Sequence, residues 1–296
     1  MCVPCQQPLR QTLTTSATTF ETGCKQPGIY LIRQIGQTYL HYVGQTGSGT
    51  MTLRKRLAML SGVYGDEMPY RDPHTAAPAL WAELHRTGQD YEALTVPLPG
   101  MGTPLRKGME ALVIAVHRQE FGFSPRMNFG RMPPGYRMSS GNTRRLETVG
   151  KRYRGGLTSD LNQSHTSGVD PTGPLVGNVS GPDWVGLTWS GWFGLSTLST
   201  ASMSSTTGVY RIRRRGEAIL TYIGQGIIAK RICAHLAKAK ATEHRQAALF
   251  SDPAALEVSF ATDLQWLPHQ RLEIENDLIA SHLLVTGKVP YAQFIG

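Results

Sequence analysis

Long apolar runs are missing from this chain of 296 residues: no stretch approaches the roughly 18 residues that would span a bilayer, so no membrane-crossing helix is expected. Cysteine is scarce. Four residues in a chain this size fit a reducing, cytoplasmic setting better than a disulfide scaffold. Cys2 and Cys5 form a CxxC with Cys24 beyond, but there is no second CxxC. A zinc site would have to recruit a ligand such as His41, and ordinary free thiols are the simpler reading. Cys233, inside a helical pattern, reads as a small core residue. The first residues lack a basic start followed by an apolar stretch, so no secretory leader is expected. Charge is thin at 17%, and acid is short: 21 Asp and Glu against 30 Lys and Arg leave a net +9. That excess favours an anionic partner, nucleic acid before a membrane surface.

What the chain does contain is a repeat. Gly28-Ile29-Tyr30 and Tyr42-Val43-Gly44 return about 180 residues later as Gly208-Val209-Tyr210 and Tyr222-Ile223-Gly224, with the tyrosines 12 positions apart in both copies. Each copy alternates apolar and polar residues as a β-hairpin requires, with turns at residues 33–37 and 213–217. A helical pattern follows, 53–60 and 227–241, carrying Arg56 in the first copy and Arg231 in the second. Another strand pattern, 92–98 and 255–261, precedes a long helix, 106–121 and 269–285. The long helices carry Glu110 and Glu275 and are stopped by Gly122 and Gly287. Asn128 and Gln293 lie at the same distance beyond the two glutamates. The order strand, strand, helix, strand, helix predicts an α+β fold: two modules, each a small three-stranded antiparallel sheet flanked by helices. Residues 1–25 read as an N-terminal arm, 26–130 as the first module, 131–205 as a basic and then Ser/Gly/Trp-rich flexible linker, and 206–296 as the second. Trp184, Trp189 and Trp192 suit base stacking or, more simply, packing as an extension of the second module's core.

This ordered set resembles the GIY-YIG nuclease superfamily over roughly two thirds of the chain. The resemblance implies a Mg²⁺-dependent DNA endonuclease, with Mn²⁺ as a substitute metal; restriction, mobile-element homing and repair all stay open, and a self-contained two-module chain favours restriction or defence. Tyr30 and Tyr210 would serve as general base or relay, Tyr42 and Tyr222 would orient the scissile phosphate, and Arg56 and Arg231 would bind its oxygens. Glu110 and Glu275 would each hold the metal by a single carboxylate with waters completing the shell. Asn128 would position Glu110 or the substrate. His235, one helical turn past Arg231, occupies a place where some restriction enzymes of the superfamily carry a base or proton shuttle. The first copy has Leu60 there, and neither His41 nor His74 has the spacing to replace it. The first copy also carries five extra residues, 47–51, before its basic helix; amides of such a loop could contact phosphate, but a solvated loop is the simpler reading.

Bland readings exist for every one of these residues: tyrosines as sheet formers, arginines as solvated helix charges, Glu110 paired with Arg106. His117 and His282, two turns past the glutamates, read as packing or surface residues. The four types recurring in order twice favour chemistry. One chain with two sites would cut both strands as a monomer, and a homo-oligomer is the other arrangement. The alternative function is nucleic-acid binding with one or both modules silent, the second first, because Gln293 replaces asparagine.

Overall fold

The computed structural model describes residues 5–8, 25–47, 49–141, 144–161, 163–198, 205–240 and 243–295; Cys2, Cys24 and Ser48 lie outside them. In chain order the elements are β1 (Cys5–Pro8), β2 (Gly28–Gln34), β3 (Tyr42–Gln45), α1 (Leu53–Ala58), α2 (Ala77–Thr87), β4 (Tyr91–Pro97) and α3 (Thr103–Phe121). Then come β5 (Tyr136–Arg137), α4 (Arg144–Thr148), β6 (Gly156–Leu157), β7 (Phe193–Gly194), β8 (Thr207–Arg214) and β9 (Leu220–Ile227). The chain closes with α5 (Ile228–Ala239), α6 (Ala247–Phe250), β10 (Leu256–Thr262) and α7 (Pro268–Thr286). The architecture is mixed α+β with small antiparallel sheets. Among the described residues no helix is long and apolar enough to cross a membrane.

Two sheets repeat one topology. Their strand orders are β1-β4-β2-β3 and β7-β10-β8-β9, every described pairing being antiparallel. Each sheet therefore has four strands where three were expected. The fourth is a short edge strand from the segment preceding the hairpin, and runs of two or four residues carry too little periodicity to be seen in sequence. The first of them, Cys5–Pro8, lies in the stretch expected to be an unstructured arm.

The chain divides into two compact units, residues 1–101 with 123–167, and residues 102–122 with 168–296. The expected linker is thus shared out, and the helix α3 that carries Glu110 groups with the second unit rather than the first. In the first unit Tyr30, Ile32, Leu53, Leu57, Leu80 and Tyr91 share a buried core. Helix α2, which no motif announced, supplies Leu80 and caps itself with Gly88 in the left-handed region. In the second unit one face of β8 meets Ile228, Ile232 and Phe250, and Val209, Ile223, Ile274 and Leu278 join Trp184 in a further cluster. Helices α3 and α7 pack within this unit: Arg118 lies against Asp277 at 3.0 Å, and Asn276 donates to the Ala111 carbonyl. Gly122 and Gly287 end both helices at φ 78° and 71°, a conformation disfavoured for residues with a side chain.

The three tryptophans pack, as the simpler reading required. Trp184 and Trp189 are buried and stacked, with centroids 5.8 Å apart, and Trp184 donates to Ser281 Oγ at 2.8 Å. Arg211 from β8 lies over Trp189 at 4.1 Å and gives its guanidinium hydrogens to the carbonyls of Val179 and Gly181. Burial and the neighbouring Arg213 hold its pKa down to about 9. The cation is thereby satisfied by π faces and carbonyls. Cys233, by contrast, is exposed on α5 rather than buried in a core. Replacing Trp184 by alanine is expected to cost the second unit about 3–5 kcal/mol, read as an earlier unfolding transition in denaturant; an unchanged midpoint would show that the indole does not anchor this segment.

Candidate active site

Cross-strand register explains the two tripeptides. Tyr30 pairs with Gly44 and Tyr210 with Gly224. A Cβ on either glycine would overlap the hydroxyl and ring of its tyrosine opposite and the ring of the tyrosine two residues before it. Glycine there lets two phenols close over one backbone position. The rings of Tyr30 and Tyr42 are 6.0 Å apart, and those of Tyr210 and Tyr222 are 6.1 Å apart. Both leading tyrosines are fully buried.

A buried hydroxyl needs a partner, and in both units it is a histidine. Tyr30 Oη lies 2.6 Å from His74 Nε2, and Tyr210 Oη lies 2.9 Å from His235 Nε2. The ring geometries agree closely: centroids 5.9 Å apart in each pair, at 64° and 67°. The second tyrosine leans on the same imidazole, at 5.5 Å for Tyr42 and 4.6 Å for Tyr222.

The two histidines come from different places. His235 lies on α5, as the spacing from Arg231 predicts. His74 comes from the turn that leads into α2, and spacing alone gave no reason to choose it. The available signal was the turn itself, which both units share. In the first, the His74 carbonyl accepts from Ala77 N–H and its Nδ1 from Ala76 N–H. In the second, His244 takes the same two roles toward Ala247 and Gln246. His74 is buried, His244 is half-buried, and Leu60 fills the buried position that His235 holds in the other unit.

Protonation follows from these partners. Burial, reinforced by Arg56, lowers the His74 pKa to about 3; burial, then Lys238 and Arg231, lower that of His235 to about 3. Both imidazoles are neutral at pH 7. Because Ala76 N–H donates to Nδ1, neutral His74 carries its proton on Nε2 and donates to Tyr30. In the second unit Arg231 Nε donates weakly to Tyr210 Oη at 3.4 Å, which turns the phenol proton toward His235 Nε2. Burial, then the neighbouring Tyr222, raise Tyr210 well above the ordinary phenol range, against the pull of Arg231.

The arginines lie on the helices expected to carry them, each at the fourth residue, Arg56 on α1 and Arg231 on α5. Arg56 donates to the Pro73 carbonyl at 3.1 Å, beside His74. Arg231 is exposed at its head, and its field reaches Tyr210, Tyr222, His235 and Glu275. Glu275 is half-buried, and among the described residues its carboxylate forms no ion pair or hydrogen bond. Burial lifts its pKa to about 7, only partly offset by Arg231. The second unit thus brings Tyr210, Tyr222, Arg231, His235 and Glu275 together. The first unit holds Tyr30, Tyr42, Arg56 and His74, while Glu110 is half-buried on the helix grouped with the second.

Asn128 and Gln293 do not face the chemistry. Asn128 Oδ1 accepts from Val43 N–H at 3.0 Å and its amide donates to the Val43 carbonyl at 2.9 Å, so it clamps the edge strand next to Tyr42. Gln293 Oε1 accepts from Ile223 N–H at 3.1 Å, beside Tyr222. The extra methylene preserves the contact, which removes the reason for regarding the second module as the silent one. His41 is buried, with Nδ1 accepting from Gln34 N–H, and His282 accepts from Leu220 N–H; both brace backbone.

Compared with protein-family models, with curated proteins and with solved structures, the chain finds no match.

A carboxyl whose pKa is higher folded than unfolded opposes folding once it ionises. The Glu275 contribution is therefore neutral below about pH 4.5 and increasingly destabilising as pH rises to about 7. Glu275→Gln is expected to be more stable than the parent by about 2 kcal/mol at pH 8, allowing for partial exposure, with no difference at pH 4. Denaturant titrations at both pH values check this; a destabilised variant at pH 8 would contradict it.

Proposed function

We propose that the protein is a metal-dependent DNA endonuclease of GIY-YIG type, with the second unit as a complete phosphodiester-cleaving site. The observation that carries this reading is the paired tyrosine–histidine contact. Two units reach it from different sequence positions, each beside an arginine and a second phenol. A sheet core has no need of a buried neutral imidazole on a buried phenol, let alone twice.

In this reading the exposed Arg231 guanidinium binds two non-bridging oxygens of the scissile phosphate, and Tyr222 fixes a third contact. The phosphate charge offsets Arg231, one of the groups that depress His235, so substrate binding itself makes the imidazole more basic. The attacking water passes a proton to Tyr210 Oη as the phenol passes its own to His235 Nε2. The new P–O bond forms as the leaving P–O bond breaks, the leaving oxygen taking a proton from solvent. The relay leaves one imidazolium and no phenolate, which suits a tyrosine whose pKa is raised. Glu275 fits a single-carboxylate magnesium site: it is partly accessible, unpaired among the described residues, and beside the phenols and Arg231. Such an ion, or Mn²⁺, would supply positive charge at the phosphate oxygens. No group of three or more metal-ligating side chains is found among the described residues, and this mode of binding calls for none.

The first unit carries the same tyrosines and arginine, but its His74 donates to Tyr30, so there the imidazole would hold a Tyr30 phenolate that takes the water proton directly. In this reading the first unit cuts the second strand of the duplex, with a single chain as the working enzyme. Supercoiled plasmid with Mg²⁺ should be converted to linear product by the wild-type chain. Tyr210→Phe and His235→Ala should each slow cleavage by about 10² or more, leaving nicks where the first unit still acts, and His74→Ala should leave nicks of the other strand. Full activity in both Tyr30→Phe and Tyr210→Phe, or no metal-dependent cleavage by the parent, would rule the reading out.

A further inference from the structure

Lys238 follows His235 by three residues and Arg231 by seven, so the three side chains share one face of α5. Lys238 is half-buried as a residue, and its ammonium donates to Gln246 Oε1 at 2.8 Å. Gln246 is itself buried and anchored, its amide donating to the Ala292 carbonyl at 2.7 Å. The ammonium is thus aimed by a neutral amide that does not offset its charge. Among the described residues no carboxylate pairs with it, and the chain has no acidic residue anywhere between Glu217 and Glu243. Lys230, Arg231 and Lys240 add further positive charge to the same helix and its end. The amide spends one of the three ammonium hydrogens on aim and leaves two donors and the whole charge for something else.

We propose that Lys238 is a phosphate-binding residue that holds the nucleic-acid strand at a phosphodiester neighbouring the one bound by Arg231. This rests on the nuclease reading of the second unit. The helical rise separates the two residues by about 10 Å along the axis, which matches a phosphate up to about three nucleotides away on a strand rising about 3.4 Å per nucleotide. Between them along the helix, Ala234 is exposed and small enough for a sugar-phosphate backbone to pass closely. Lys238 lies near enough to His235 for its charge to act on the imidazole. At the two matching positions of the first unit neither residue has an equivalent. Seven residues past Arg56 is the buried Val63, and two past the turn histidine is Ala76 where the second unit has Gln246. This contact would therefore belong to the second unit alone of the two matched helices.

The test uses the full chain, a duplex oligonucleotide and no divalent metal, so that only binding is read. Lys238→Gln should weaken binding about 10-fold near physiological salt and make the slope of log K against log salt shallower by about one. Lys238→Arg should keep the slope, and Lys288→Gln, which removes the same charge from an exposed lysine beyond α7, should change affinity less than twofold. Equal effects from Lys238→Gln and Lys288→Gln, or none from Lys238→Gln, would overturn the assignment while the nuclease reading stood. A parent chain that binds no DNA would overturn both. Should Lys238→Gln melt early, Gln246→Ala decides: it keeps the charge but loses its aim, so an intermediate loss supports the proposal and unchanged affinity defeats it.

Discussion

A phenol buried opposite a glycine is the constraint from which the rest of each unit follows. The Tyr30–Gly44 and Tyr210–Gly224 pairings leave room for a ring only because the facing residue has no side chain. Once the ring lies flat across that gap, its hydroxyl is sealed from water and an unpaired oxygen there would cost a few kcal/mol. An imidazole is brought in to meet it. The second tyrosine, two residues before the same glycine, is then forced against that imidazole. The edge strand carrying it is pinned by an amide beyond the long helix, from Asn128 or Gln293. Each motif residue is thus placed by the one before it.

The resulting polar core is held close to electrical neutrality. The histidines are uncharged, the leading phenol of the second unit is far from ionising, and Glu275 sits near the middle of its titration at neutral pH. Burial drives all these shifts, with an arginine as the opposing or reinforcing charge, Arg56 at His74 and Arg231 in the second unit. An anion arriving at either guanidinium changes the balance within its own unit. In the second unit Glu275 adds a response to pH near neutrality.

Much of this was legible in the sequence, and the omissions have physical causes. The hairpins, the two long helices and their glycine stops rest on periodicity and on backbone angles that disfavour other residues. Arg231 and His235 were readable because a helix fixes the direction of residues four apart. His74 was not, since a turn residue points wherever the loop directs it and only coordinates show where that is. The short edge strands lack enough residues for a period. The Asn128 contact with Val43 was not legible either, since the length of the amide and the edge strand's free backbone groups decide its partner. The placement of α3 with the second unit depends on side-chain packing such as Arg118 with Asp277, which no local pattern encodes.

The imidazole of the two units has no common address in the chain. The second unit already owns both candidates, His235 in contact and His244 waiting in the shared turn, while the first has surrendered the helical one to Leu60. Aligned column by column, the two units would leave Tyr30 facing a leucine and without its imidazole; only superposition in space sets His74 beside it.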